Sequence, residues 1–356
     1  MFVPDAFTNP NYVRYALKGA LAVLLCYLAQ SAVHWLGIRT CVITCMIVGL
    51  ASEGATIQKG TLRISGAVVG AALGFLAILA FVPHMESITS LVLLVAGGTA
   101  VAAWVYLGSA RISYVGVQIA LAFYICVIQG FEPSWYFYTI RDRMIGILFG
   151  NLVITLVFLS VWPVRAAAAV SRSLASALRA MAELARVGGR SEDQAIVASA
   201  VHELRVQAYR HFAAAEQSLE EEAFEWFPPA PADAAARERQ LAFATEARAV
   251  FLLQLAIASQ RPNVDPADLP AALLASTRAF DAAVGESLEL VADRAQSGRA
   301  RDLPDLRARL ETLAAPVEGE PPPGLDATVA VHVAGRHALY RELVPRLERL
   351  TAAVIG

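Results

Sequence analysis

The chain has 356 residues, 57% of them hydrophobic, with a mean hydropathy of +0.52 and a formal net charge of −2. Such a chain is too apolar for an ordinary water-soluble domain and too close to neutral to hold nucleic acid, whose phosphates call for a basic surface. The charge is unevenly spread: residues up to Pro163 carry 8 Lys+Arg and 5 Asp+Glu, and the remainder carries 21 and 26.

Two domains are therefore expected, 1–163 and 164–356, with the change of composition at Val161-Trp162-Pro163. All four cysteines, Cys26, Cys41, Cys45 and Cys126, lie in apolar stretches and none forms a C-x-x-C pair, so they read as small buried residues.

A hydrocarbon core about 30 Å thick takes roughly 20 apolar residues per helix. Six segments approach that length before Pro163, at about 13–34, 39–54, 63–82, 88–108, 111–130 and 143–162. The first is long and is followed by five more, which reads as an anchor and not a signal peptide. The second is the shortest and ends in the polar triplet Ser52-Glu53-Gly54. Here Glu53 is a possible proton-coupling carboxylate or an ordinary interfacial one.

The third span carries Gly66, Gly70 and Gly74, each four residues apart. Glycine weakens a helix in water by about 1 kcal/mol against alanine. In lipid there is no hydrophobic drive for helices to associate, and small residues at i, i+4 and i+8 let backbones approach closely. Gly146 and Gly150 repeat the spacing in the sixth span, and Gly97-Gly98 thins the fourth. The glycines serve either fixed packing or a hinge.

Polar residues inside a membrane are the default functional candidates. Arg111, Tyr114, Gln118 and Gln129 of the fifth span fall within about 60° of one another at ~100° per residue. They form a polar stripe that is either glue between helices or a substrate path. At the start of the sixth span, Arg141-Asp142-Arg143 offers two planar, permanently charged guanidiniums to an organic anion. Asp142 either pairs with a neighbouring arginine or takes part in proton coupling. Asn151 and Thr155, one turn apart, continue the path or bond a neighbouring helix.

Orientation follows the basic residues. Arg14, Lys18, Lys59, Arg63, Arg111, Arg165, Arg172 and Arg179 gather on one side, against Arg39, Arg141 and Arg143 on the other. Both termini are thus expected in the cytoplasm, with Arg63 marking the cytoplasmic end of the third span. Trp35, Trp135, Tyr136 and Tyr138 mark the outer interface and Trp162 the inner one.

Beyond Pro163 the pattern is helical throughout. A basic amphipathic helix over 164–187 stops at Gly188-Gly189, and Ser191-Glu192-Asp193-Gln194 opens a second, running to about Trp226. Pro228-Pro229-Ala230-Pro231 breaks it, and Asp233 caps a third to about Ser259. Further helices are expected at 269–296, 303–315 and 325–353, with Pro321-Pro322-Pro323-Gly324 as the last linker.

Chemical signals in this half are weak. Glu220-Glu221-Glu222 reads as a solvated helix face, not a metal site. His202 and His211 fall on opposite sides of one helix, and His332 and His337 fare little better. No G-x-x-x-x-G-K phosphate loop occurs. The residues therefore call for no ATPase step, no enzyme activity, no cofactor and no metal. The fold expected is all-α, a six-span transmembrane bundle followed by a cytoplasmic all-helical domain.

Four stretches carry a resemblance: FVPDAFTNPNYVRYALK, GIRTCVITCMIVGLASEGATIQKGTLRISGAVVGAALGF, SARISYVGVQIALAFYICVIQGF and RDRMIGILFGN. In their order they resemble the fusaric acid resistance / aromatic acid exporter family. They come nearest the C-terminal half of the inner-membrane permease subunit of Gram-negative multidrug efflux systems. The most distinctive part is Thr61-Leu62-Arg63 with Gly66 and Gly70.

The resemblance covers about 1–165 and implies export of aromatic acids or amphipathic drugs, with a periplasmic adaptor and an outer-membrane channel. Such permeases usually carry two six-span halves and this chain has one. It is expected either to be a fragment or to pair with another copy or a missing half. A passive organic-anion channel and a non-transporting membrane scaffold are the alternative readings.

Overall fold

The computed structural model describes residues 8, 10–128, 137–187, 194–225, 231–260, 269–298, 302–318 and 327–355. The described residues form helices and connecting turns, without strands. They fall into two compact units: Met1–Ala166 with Glu221–Trp226, and Ala167–Glu220 with Phe227–Gly356.

The first unit holds α1 (Pro10–Ala32), a 3₁₀ turn (Leu36–Arg39), α2 (Thr40–Val48), α3 (Glu53–Ala80), a second 3₁₀ turn (Val82–His84), α4 (Ile88–Gly108), α5 (Ser113–Val127) and α6 (Phe137–Ser160). These helices make two groups of three: α1, α2 and α6 pack on one another, and α3 and α4 pack on α5. The groups meet chiefly through α3 and α6.

Glycine spacing decides which helices touch. A Cβ on Gly66 would stand 2.6 Å from the Gln118 Cβ and 2.7 Å from the Val115 carbonyl oxygen. One on Gly70 would overlap the Ile119 carbonyl, and one on Gly74 the Cys126 side chain. The stripe is the surface on which α5 lies. Gly146 and Gly150 do the same between α6 and α2, where a Cβ on Gly150 would come 2.6 Å from the Cys41 carbonyl oxygen. On α5, Gly116 receives α4 at Ala102 and Tyr106.

α3 begins ten residues before the expected third span. Ser52, in extended conformation, caps it by accepting from the Ala55 amide at 3.1 Å, with Glu53 in the first turn. The polar triplet that reads as the end of one span is the cap of the next helix. Arg63 therefore does not mark a helix end: it stands about 15 Å along α3, inside the bundle. Lys18 is likewise buried, donating from Nζ to the Trp162 carbonyl at 2.6 Å. Neither counts as a loop cation.

Apolar side chains face outward. In α4 only Ala102 is buried, while Trp104 is 79% and Leu107 78% exposed. A lipid environment satisfies such a helix, and water does not. Among the described residues, five helices are long and apolar enough to cross a bilayer: Pro10–Ala32, Glu53–His84, Ile88–Gly108, Phe137–Ser160 and Ala235–Gln260. The expected second and fifth spans form the shorter apolar helices Leu36–Val48 and Ser113–Val127.

The second unit contains α7 (Ala166–Arg186), α8 (Gln194–Glu222), α9 (Pro231–Gln260), α10 (Ala271–Ser297), α11 (Leu306–Glu318) and α12 (Ala327–Ile355). α7 buries Val170, Leu174, Ala177, Leu178 and Met181 at helical spacing in the core, against α9, α10 and α12 residues such as Phe251, Leu288 and Leu343. α9 has the apolar length of a span, but Phe243, Ala247, Val250 and Phe251 are spent in this core. Its Glu246 pairs with Arg346 at 3.2 Å.

On the other side of the core, Arg186 of α7 holds Glu289 of α10 bidentately at 2.5 and 2.9 Å. The expected signals at Gly188-Gly189, Ser191-Glu192-Asp193, Pro228-Pro229-Ala230 and Pro321-Pro322-Pro323-Gly324 lie outside the described residues, as do the side chains of Gln194 and Asp233.

Candidate functional site

Where α3 and α5 of one group face α2 and α6 of the other, a cleft of about 200 Å³ opens. Its walls are apolar, from Ile43 and Ile47 of α2, Leu121 and Ile125 of α5 and Ile147 of α6. Two guanidiniums interrupt them, Arg63 of α3 and Arg143 of α6, together with Gln118 and Thr40.

Arg63 is 5% exposed and Gln118 4%. The Gly66 contact brings their helices together, so that Arg63 Nη1 donates to Gln118 Oε1 at 3.0 Å and to the Tyr114 hydroxyl at 3.4 Å. Lys59, one turn earlier, lies with its ammonium 5.4 Å from the Tyr114 ring centroid. Arg143 lines the cleft with Cys126, about two helical turns along α5 from Gln118, or ~12 Å.

No carboxylate lines the cleft among the described residues, and neither Arg63 nor Arg143 has an ion pair there. The arrangement is a narrow apolar slot with cations set apart along it. Chemically it favours an amphipathic anion: a charged head for a guanidinium and a hydrocarbon body for the walls.

The other residues singled out from the sequence lie elsewhere. Arg111 sits exposed in the turn before α5, so the polar stripe begins at Tyr114 and does not run the length of a span. Gln129 lies outside the described residues, as do Trp135 and Tyr136. Arg141 turns away from the slot and bonds Asp142, Nε to Oδ1 at 2.9 Å. Asp142 is buried and also accepts from Trp35 Nε1 at 3.0 Å.

Asn151 is buried in the same seam below the slot. Its Nδ2 donates to the Gly60 carbonyl at 3.4 Å, while Oδ1 has no partner among the described residues. Glu53 stands at the α3 cap. Beside it Ser52 donates to Glu221 at 2.7 Å, and Glu225 accepts from the Ala166 amide at 2.6 Å. Glu220, Glu221 and Glu222 are thus half-buried and not a freely solvated face, because Glu221 serves the Ser52 cap.

Arg63 is the site residue that residue-by-residue reasoning passes over. Its signal is the N-cap pattern at Ser52-Glu53, which moves the helix start back and puts Arg63 one turn before Gly66, on the face toward α5. The four cysteines are buried and outside any disulfide, with Cys26 and Cys45 sulfurs 3.4 Å apart in the α1–α2 contact. Among the described residues no group of three metal-ligating side chains occurs.

No family model matches the chain. It is similar to curated proteins named multidrug resistance protein MdtO. That of Shigella flexneri is 36% identical over 224 residues, covering 63% of this chain and 33% of the relative. The protein of Escherichia coli K12 is 35% identical over 222 residues, 62% and 32% of the two chains. That of Escherichia coli O6:H1 is 38% identical over 195 residues, 54% and 29%. The matched part of the chain spans about a third of the length of these relatives, all of them named as resistance proteins and none as an enzyme.

Proposed function

We propose that this chain is a subunit or half of an inner-membrane efflux permease, exporting aromatic acids or amphipathic drugs. A periplasmic adaptor and an outer-membrane channel complete the export route, and the permease is completed by a second copy or by a missing half. Both termini lie in the cytoplasm, and 164–356 form the cytoplasmic domain.

The observation that carries this reading is the slot itself, with Arg63 and Arg143 set among apolar walls and no carboxylate among the described residues to neutralise them. A guanidinium held this way pays a desolvation cost of several kcal/mol unless an anion answers it. A carboxylate on a flat apolar body answers it and fits walls of Ile and Leu. The names of the relatives support outward movement of toxic compounds.

Accumulation of 4-hydroxybenzoate and of amphipathic drugs is the test, in cells lacking their own exporters, with and without the chain and its adaptor. Lower accumulation is expected with the chain, and its loss in Arg143→Gln. Equal accumulation across the panel overturns the reading.

A passive organic-anion channel is the second reading, favoured by the lack of a carboxylate among the described residues of the slot to carry a coupled proton. Currents from reconstituted chain that reverse at the anion equilibrium potential and ignore a pH gradient would decide for it.

A further inference from the structure

The partners of Arg63 take hydrogen bonds from Nη1 alone and do not cancel its charge. Gln118 and Tyr114 are both neutral, and the buried Nε has no acceptor. The Arg63 bond also fixes the Gln118 amide. With Oε1 turned to the guanidinium, the remaining group is an NH₂ with no partner among the described residues.

One end of the slot is therefore lined by the Arg63 guanidinium and the Gln118 amide, whose free hydrogens are all donors, beside the small side chains Ala67 and Ala71. A donor-only pair of this kind repels cations and receives anions. Arg143 stands farther along the slot and, being positive, does not neutralise Arg63.

We infer that the Arg63–Gln118 end holds a small inorganic anion of the halide class as a resident counter-ion, displaced when a substrate carboxylate arrives. This rests on the reading of the slot as an anion path and adds the ion that occupies it between substrates. Chloride accepts from both donors and needs none of the apolar wall, whereas an aromatic acid uses both. The two compete for one guanidinium.

The test uses the full chain in detergent, in sodium chloride or sodium gluconate at equal ionic strength. A ligand bound only by the folded state raises the unfolding temperature in a saturable way. Chloride is expected to raise it, and Arg63→Gln to remove the rise. Because Arg63→Gln risks the fold, Gln118→Glu serves as the second variant. It places a carboxylate where the amide oxygen lies 3.0 Å from the guanidinium and so supplies the counter-charge internally. The variant is expected to melt at one temperature in both salts.

A wild-type midpoint that is the same in both salts overturns the inference, as does a chloride effect that persists in Gln118→Glu. Equilibrium dialysis with 4-hydroxybenzoate separates this inference from the transport reading. Binding several-fold weaker in chloride than in gluconate is expected. Equal binding in both salts overturns the counter-ion and leaves the anion path standing. Chloride stabilisation without any hydroxybenzoate binding upholds the ion and removes the substrate.

Discussion

Trp35 donates from its indole Nε1 to Asp142 Oδ2 at 3.0 Å, tying the turn after α1 to the start of α6. Asp142 also packs on Gly37, where a Cβ would overlap the carboxylate. A hydrogen bond to a charged group contributes about 1.5–3 kcal/mol. Trp35→Phe keeps the ring and loses the donor, so detergent melts are expected to fall by about that amount. Arg141→Ala should cost less than about 1 kcal/mol, since its side chain is 62% exposed.

Gly70 and Gly97 make a controlled pair. A side chain at Gly70 meets the Ile119 backbone, which cannot yield without parting α3 from α5, while nothing lies within 4 Å of Gly97. Gly70→Leu is expected to abolish folded yield on size exclusion. Gly97→Ala should be neutral or stabilising by up to about 1 kcal/mol, the helix propensity gained.

Ser52 does two jobs with one hydroxyl, accepting from Ala55 N and donating to Glu221. Ser52→Ala removes both and is expected to cost about 1–2 kcal/mol. Ser52→Thr keeps the oxygen and should recover most of it. Equal melts for the two variants would show that the cap contributes nothing.

Two groups of the second unit titrate with the same sign. Burial pushes the His337 imidazole below its usual value, and the Arg186 guanidinium beside Glu289 holds that carboxyl below the ordinary glutamate range. In each case the unfolded chain takes up its proton first as pH falls. The stabilisation is complete above the ordinary value and is lost through the depressed folded one.

Unfolding temperature is therefore expected to fall in two steps, the first starting near the ordinary imidazole value of about 6.5 and the second below about 4.5. His337→Gln should erase the upper step alone. Glu289→Gln should shrink the lower one, to which Glu348, held low by the Arg307 guanidinium, also contributes.

Much of this architecture is legible in the sequence, because apolar length and glycine spacing are local signals. The fourth span matches its expected bounds, and the helices around 271–297 and 327–355 come within two residues. Two things escape a hydropathy reading. A polar cap inside an apolar stretch looks like a span boundary, which displaced the start of α3 and hid Arg63. Apolar length also cannot tell a lipid-facing helix from one that fills a core. α9 has the length, and only Phe243, Ala247 and Phe251 meeting other helices reveals where its apolar face goes.

The slot depends equally on contacts across the chain. Gln118 and Arg63 are 55 residues apart, and nothing local in either segment announces the other. Arg111 shows the converse: its angular position suits the stripe, yet it precedes the helix that would carry it.

The glycine seams have a mechanical consequence. Gly66, Gly70 and Gly74 lock α3 to α5, and Gly146 and Gly150 lock α6 to α2, all within a group. Across the seam that contains the slot, one polar link among the described residues is the 3.4 Å bond from Asn151 to Gly60. Packed helices do not stretch; they slide as blocks. The slot accordingly has jaws and not elastic walls. On the reading of the slot as an anion path, a bulky guest would enter by parting the two blocks, and the width of the opening would be a property of the pair, not of any one lining side chain.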